Sequence, residues 1–231
     1  MAFELKTVVP WGRNLEEYRL MFNLTAEDLG KKIISMGDGP ASFNVEMHRL
    51  GRQVISLDPI YAFPRIELAE RIQQTKQEVL TQTWRNQDNF VWKHIKDMED
   101  LEKIRMKAMT TFLSDVEAGK LEGRYIPHAL PDKTPFRDEE FDMGLSSHFL
   151  ILYAGLGLDF HIQAIAEMLR ICKQVRIFPL LDLNAQPSIV LKGIIDFFQN
   201  QYQLKIAQVA YEFQRNGNQM LLINRKPDNF I

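Results

Sequence analysis

The sequence predicts an α/β fold built on a doubly wound sheet, and three observations carry that reading. Short apolar runs alternate with helical stretches along most of the chain. A Gly-x-Gly turn, Gly37-Asp38-Gly39, joins the first run to the next helix, and Asp58 stands at the tip of the second run. The chain then closes on an antiparallel hairpin, which an ordinary nucleotide-binding domain does not require. With 231 residues, 45% of them hydrophobic, and 28 Lys+Arg against 30 Asp+Glu, there is material for one core and too much apolar content for disorder. A single domain over 1–231 is expected.

The elements follow in order. KKIISM at 31–36 reads as a short buried strand ending at Gly37; 42–50 is the next helix, and QVISL at 53–57 is the second strand. From about 62 to 122 the pattern changes to interleaved charge with almost no Gly or Pro, which predicts a helical insertion between the second and third strands. Val91, Ile95, Met98, Leu101, Ile104, Ala108 and Phe112 fall three or four apart and make one apolar helix face. Asp97, Glu99, Asp100, Glu102, Lys103, Arg105 and Lys107 are assigned to its solvated outer face. Beta character resumes at 124–126, a loop covers 129–140, and FDMGLSSHFLIL at 141–152 is a central strand running into its exit loop. Ile162, Ile165, Leu169 and Cys172 mark a helix face, 175–178 a strand, and Ile189, Ile194 and Phe197 a further helix. Asn216-Gly217 between KIAQVAYEFQ and NQMLLINR predicts a tight hairpin turn.

Several function classes are excluded. A net charge of -2 gives no strong nucleic-acid or anionic-membrane signal. Cys172 alone cannot build a disulfide framework or a Cys-rich metal site, and reads as a buried small hydrophobe. His48, His94, His128, His148 and His161 form no short ligand pattern, so no metal is expected. No Gly-Lys-Ser/Thr follows the glycine turn, and adjacent Ser146, Ser147 and His148 do not make a hydrolase triad. The N-terminus lacks a signal-peptide pattern, and the longest apolar stretch, FLILYAGLGLDF, is too short to span a bilayer. A soluble, cytoplasmic protein is expected.

In the glycine turn, Gly37 permits a sharp strand exit, Gly39 lets backbone approach a ligand, and small Ala41 and Ser42 let the next helix pack close. The third glycine of a dinucleotide fingerprint is absent, and Pro40 removes a backbone donor. Asp58 suits the two hydroxyls of a ribose, or alternatively caps the turn before Pro59.

Taken together, IISMGDGPASF, VISLDP, LPDKTPFRDEEFDMGLSSHFLIL, EMLRICKQVRIFPL and the terminal hairpin resemble the class I S-adenosylmethionine-dependent methyltransferases, especially the small-molecule-methyltransferase-like group. The resemblance covers nearly the whole chain except roughly 62–122. It implies a seven-stranded mixed sheet, S-adenosyl-L-methionine as cofactor, S-adenosyl-L-homocysteine as product, and a small-molecule acceptor. It implies that Gly37, Asp38, Gly39, Pro40 and Ala41 lie along the methionine part, that Asp58 binds ribose, and that Pro59 and Ile60 flank the adenine. His128 and Ala129 correspond to the region facing the adenine amino group, and Ser147 and His148 to the fourth-strand exit near cofactor and substrate. Arg13 and Tyr18, in WGRNLEEYRLMF, correspond to residues that reach the cofactor carboxylate. The chain departs from the pattern in carrying Ser35 where the family commonly has an acid, with Asp38 after the first glycine instead, and in lacking an acid near His128. It also lacks the Asn/Asp-Pro-Pro-Tyr/Phe motif of nucleic-acid base and glutamine methylation.

His148 is the candidate general base, because an imidazole titrates near neutrality; a hydrogen-bonded structural histidine is the other reading. Phe149, Tyr153, Phe178 and Leu181 are either substrate walls or simple core. Two other functions fit parts of the pattern. One is a non-catalytic methyltransferase-like protein acting through a protein partner, with the insertion as a contact surface. The other is a nicotinamide-dependent oxidoreductase, which shares the glycine turn and Asp58 but leaves the hairpin unexplained.

Overall fold

The computed structural model describes residues 11–226; the part of the signal-peptide reading that concerns residues 1–10 lies outside the described residues. Strand β1 (Ile33–Met36) pairs in parallel with β2 (Val54–Leu57) on one side and β4 (Phe141–Ser147) on the other. Outside β2 lies β3 (Tyr125–Ile126), and outside β4 lies β5 (Cys172–Phe178), both parallel. β7 (Gln219–Arg225) joins β5 antiparallel and carries β6 (Tyr202–Gln208) on its far edge. The order β3-β2-β1-β4-β5-β7-β6 is the seven-stranded mixed sheet with a C-terminal hairpin that the resemblance implies.

Helices α1 (Leu15–Met21) and α2 (Phe43–Arg49) cover one face, where Tyr18, Phe22, Phe43 and Met47 pack on Ile33 and Leu145. Helices α5 (Leu158–Ile171) and α6 (Leu191–Phe198) cover the other, with Ile165, Met168 and Ile194 against Ile34, Met36 and Ile177. Every β1 side chain is buried, as expected of a central parallel strand coated on both faces. A capping box starts α1: the Asn14 side chain accepts from Glu17 N at 2.9 Å, and the Glu17 carboxylate accepts from Asn14 N at 3.1 Å.

Between β2 and β3 the chain makes a 3₁₀ turn (Pro59–Ala62), α3 (Arg65–Arg85), and α4 (Met98–Leu121). The rings of Tyr61, Phe112 and Tyr125 meet with centroids 5.1 to 5.9 Å apart, and this cluster seats α4 beside β3. No helix among the described residues is long and apolar enough to cross a membrane.

The structure corrects five local expectations. Val91 and Ile95 are not helical: α4 begins only at Met98, where Asp97 caps it by accepting from Asp100 N at 2.8 Å. Val91 N donates instead to Phe213 O at 2.7 Å, because this segment runs extended beside the β6–β7 connection. Arg105 is not on a solvated face: it is 0% exposed and donates to Glu17 at 2.6 Å and to the Tyr211 hydroxyl at 3.2 Å. Helix α4 is covered on that side by α1 and the C-terminal loop, which local periodicity does not reveal. Cys172 opens β5 instead of ending a helix face, since α5 passes into the strand without a loop. In α6 the buried positions are Ile194 and Phe198, with Val190 before it, whereas Ile189 and Phe197 are exposed. Finally, Asn216-Gly217 does not make a two-residue hairpin turn. Pairing stops at Gln208–Gln219, and the connection between them carries Tyr211 and Phe213 onto the insertion.

Arg105→Met should lower stability by about 3–5 kcal/mol in urea unfolding, because Glu17 is left buried without its cation. Adding Glu17→Gln should restore part of that loss, whereas exposed Lys103→Ala should cost less than about 0.5 kcal/mol.

Candidate functional site

The glycine turn leaves β1 with Gly37 and Gly39 both left-handed, at φ +73 and +56. A Cβ on Gly37 would stand 2.6 Å from the Phe149 ring, so the turn is closed over on that side. Asp38 points inward and is buried. Its Oδ1 accepts from the Tyr18 hydroxyl at 2.7 Å and from the Ser35 hydroxyl, and its Oδ2 accepts from the Ser56 hydroxyl at 2.7 Å. Burial raises the Asp38 pKa, and the hydroxyl bonds only partly offset it. Burial and the Asp38 carboxylate in turn push the Tyr18 phenol well up, so it remains a donor. Of the two residues matched to the cofactor carboxylate, Tyr18 is therefore bonded to Asp38, and Arg13 faces the cleft.

Asp58 sits at the tip of β2, also buried. Its Oδ2 accepts from Gly39 N at 2.8 Å and its Oδ1 accepts from Ile60 N at 3.0 Å. It thus caps the 3₁₀ turn and clamps the second glycine, while each oxygen keeps a further lone pair. Burial raises its pKa to about 6 against the two amide bonds. The Tyr61 hydroxyl holds the same turn by donating to Gly39 O at 2.9 Å. Beyond it, Pro40 and Ile60 border a cavity of about 360 Å³ closed by Phe63, Leu68 and Ile72. His128 is apart from this cavity, with a ring nitrogen 2.9 Å from Asp132 O, and Ala129 is exposed.

The exit of β4 supplies the opposite wall. Ser147 ends the strand, and His148 and Ile151 take φ values of +54 and +70. A left-handed isoleucine is a strained conformation, and such strain clusters at functional loops. His148 N donates to Phe178 O at 2.7 Å, and its Nδ1 lies 2.9 Å from the Ser147 hydroxyl. Burial lowers the imidazole pKa well below its ordinary value, and Arg13 and Arg105 lower it further, so the ring is neutral at pH 7.

A strap of residues 11–13 lies across the glycine turn. Ser42 N donates to Arg13 O at 3.0 Å, and a Cβ on Gly12 would fall 2.1 Å from Pro40 O. The Arg13 Nη1 donates to Trp11 O at 2.5 Å, while its buried Nε has no partner among the described residues. Burial lowers the Arg13 pKa to about 10, and Arg105 contributes in the same direction. Beneath the strap, beside Gly37, Asp58 and His148, the cleft holds about 30 Å³, the share of one water. A second cavity of about 120 Å³ shares Trp11, Arg13 and His148 with that cleft and is walled by Val79, Phe90 and Phe213.

The structure therefore brings together Arg13, Tyr18, Gly37, Asp38, Gly39, Asp58, Ser147 and His148, sets Pro40 and Ile60 at one side, and leaves Ala41, Pro59, His128 and Ala129 lining neither space. Phe149 covers Gly37 and Tyr153 borders the second cavity, while Phe178 and Leu181 are buried outside both. Sequence reasoning missed Glu17, Arg105 and Tyr211 behind the site. A signal existed: Arg105 sits four after Leu101 and three before Ala108, in register with the buried face.

No family model matches the chain. The uncharacterized protein MJ0045 of Methanocaldococcus jannaschii is 36% identical over 225 residues, 96% of this chain and 98% of that protein. Among solved structures, magnesium protoporphyrin IX methyltransferase from Synechocystis, with bound S-adenosylmethionine, is 12% identical and overlaps 87% of this chain and 73% of its own at a TM-score of 0.45. A TehB-like methyltransferase of Corynebacterium glutamicum is 16% identical over 85% and 81% of the two chains, with a TM-score of 0.45.

Asp38→Asn should lower stability in urea unfolding by about 1–3 kcal/mol, since one of the two acceptor oxygens is lost under three hydroxyls. Tyr18→Phe should cost about 1 kcal/mol, and the double variant less than the sum, because both changes break the same bond.

Proposed function

This chain belongs to the family of the M. jannaschii protein MJ0045, and we propose that it binds S-adenosyl-L-methionine and passes the methyl group to a small-molecule acceptor. The observation that carries this reading is Asp58. At the tip of β2 in a 3-2-1-4-5-7-6 sheet, its buried carboxylate is clamped to the second glycine of the β1 turn and retains lone pairs for a ribose diol.

The residues fit the cofactor in two parts. Asp58 suits the ribose, and the cavity of about 360 Å³ beside Pro40 and Ile60 has room for a purine ring. The turn Gly37, Asp38, Gly39, Pro40 and Ala41 would carry the methionine part, with Asp38 acting from beneath by holding the turn in shape. Only about 30 Å³ is open there, so the strap of 11–13 must lift for that part to enter. When bound, S-adenosylmethionine supplies an electrophilic methyl group on a sulfonium sulfur, and its loss to an acceptor lone pair leaves S-adenosyl-L-homocysteine.

The chain's own contribution is orientation and dryness. The cavity of about 120 Å³ between the insertion and the C-terminal loop would hold the acceptor, with Trp11 and Phe90 excluding water. His148 borders both spaces, and its neutral Nε2 is available to take the acceptor's proton. In this reading 1–231 is one domain, and the helices at about 62–122 wall the acceptor cavity. The closed cleft favours a second reading, a non-catalytic member that binds a protein partner through the insertion.

Calorimetry on the full chain should detect both S-adenosylmethionine and S-adenosylhomocysteine, and no heat with either at about 1 mM would overturn the reading. Asp58→Ala should weaken S-adenosylhomocysteine about 10-fold or more, the worth of hydrogen bonds to a charged group. Because Asp58 titrates at about 6, affinity should be full above that pH and fall as pH drops through it, as the acceptor oxygen gains a proton. Asp58→Asn should flatten that profile.

A further inference from the structure

The cavity of about 120 Å³ is nearly the size of the 150 Å³ space known to hold one benzene ring. Most of its wall is apolar, from Trp11, Val79, Phe90, Leu152 and Phe213. Two of its polar side chains already have partners: the Thr83 hydroxyl donates to Val79 O at 2.8 Å, and the Gln214 amide donates to Asp182 O at 3.0 Å. Arg13 is different. Its guanidinium has no carboxylate within ion-pair distance among the described residues, its buried Nε is unpartnered, and its one bond goes to the neighbouring Trp11 carbonyl.

Resting on the methyl-transfer reading above, we propose that the acceptor is a single-ring carboxylic acid whose carboxylate is held by Arg13. An apolar ring-sized cavity with one unpaired guanidinium on its wall matches an aromatic acid, since a desolvated cation is costly until an anion pairs with it. The guanidinium also borders the cleft over the glycine turn, but the apolar wall that a ring needs lies in the larger cavity. Glu17, the carboxylate that most favours the charged form of Arg13, is already paired with Arg105 at 2.6 Å. Neutral His148, on the same wall, adds no competing charge and leaves a nitrogen for a ring hydroxyl or amine.

The test is equilibrium binding of benzoate and its uncharged analogue benzamide to the full chain, with and without saturating S-adenosylhomocysteine. Benzoate should bind about 10-fold or more tightly than benzamide, the discrimination expected of a charge-assisted bond. Arg13→Gln should abolish that preference. Arg13→Lys should keep part of the preference, and Leu183→Trp, which fills the cavity from a loop, should weaken both ring compounds. Equal binding of the two, or no benzoate binding at about 10 mM with S-adenosylhomocysteine present, would overturn the proposal. So would an Arg13→Gln variant that keeps its benzoate preference and loses S-adenosylhomocysteine instead, for then the guanidinium serves the cofactor. If the wild type prefers benzoate yet binds neither form of the cofactor, the acid site stands and the methyl-transfer reading falls.

Discussion

A buried carboxylate with no ion-pair partner among the described residues organises this molecule. Asp38 collects hydroxyls from α1, β1 and β2, and Ser56, one of those donors, accepts in turn from Asn44 Nδ2 at 3.1 Å. The Asn44 carbonyl accepts from Arg124 at 2.8 Å, and Arg124 ends the chain on Asp115 of α4 and on Glu122. A line of hydrogen bonds therefore runs from the N-terminal helix, under the glycine turn, through α2 to the far end of the insertion. Hydrogen bonds to a charged acceptor are about twice as strong as neutral ones. Even so, desolvation wins at Asp38 and raises its pKa. What the group contributes is position: a carboxylate offering several acceptor sites in fixed directions leaves the turn only one arrangement. It also accounts for Ser35. An acid three residues later folds back under β1, and a serine there supplies a donor where a second carboxylate would have been repelled.

The insertion is tied in at a second point by opposite means. Arg105 reaches through α4 to Glu17, and Tyr211 from the β6–β7 connection bonds both. Although burial raises the Glu17 pKa, Arg105 and Arg13 more than reverse it, so the pair stays ionised in the interior. Three segments far apart in sequence thus meet at one charge cluster behind the cleft. Its field reaches His148, where it adds to burial in keeping the imidazole neutral. The insertion therefore forms one wall of the cavity and sets the electrostatics of another.

Much of the sheet was readable because parallel strands coated on both faces are short apolar blocks, and Gly37, Gly39 and Asp58 punctuate them at chemically meaningful points. The glycine turn and Asp58 lie together and share a hydrogen bond. Other features depended on partners that local pattern does not carry. Arg105 looked solvated because its counter-charge lies 88 residues away. Ile95 is buried, but in a bend ahead of α4, after the segment at Phe90 and Val91 that pairs with the C-terminal loop. Cys172 was displaced by a residue because α5 enters β5 with no punctuation. Asn216 does take the left-handed conformation that its type favours, yet in a longer connection whose length is set by aromatic packing on Phe90 and Trp92.

The missing side chain at position 12 has a kinetic meaning. Because Gly12 presents only hydrogen to Pro40, two backbones close to a separation that no other residue allows, and the Ser42–Arg13 hydrogen bond locks them there. A ligand that binds on the glycine turn would enter only the fraction of molecules whose strap has lifted, so its apparent affinity would be multiplied by that fraction. Arrival and departure then share one opening step. Departure from under the strap would then require the two backbones to part as well as the ligand's own contacts to break.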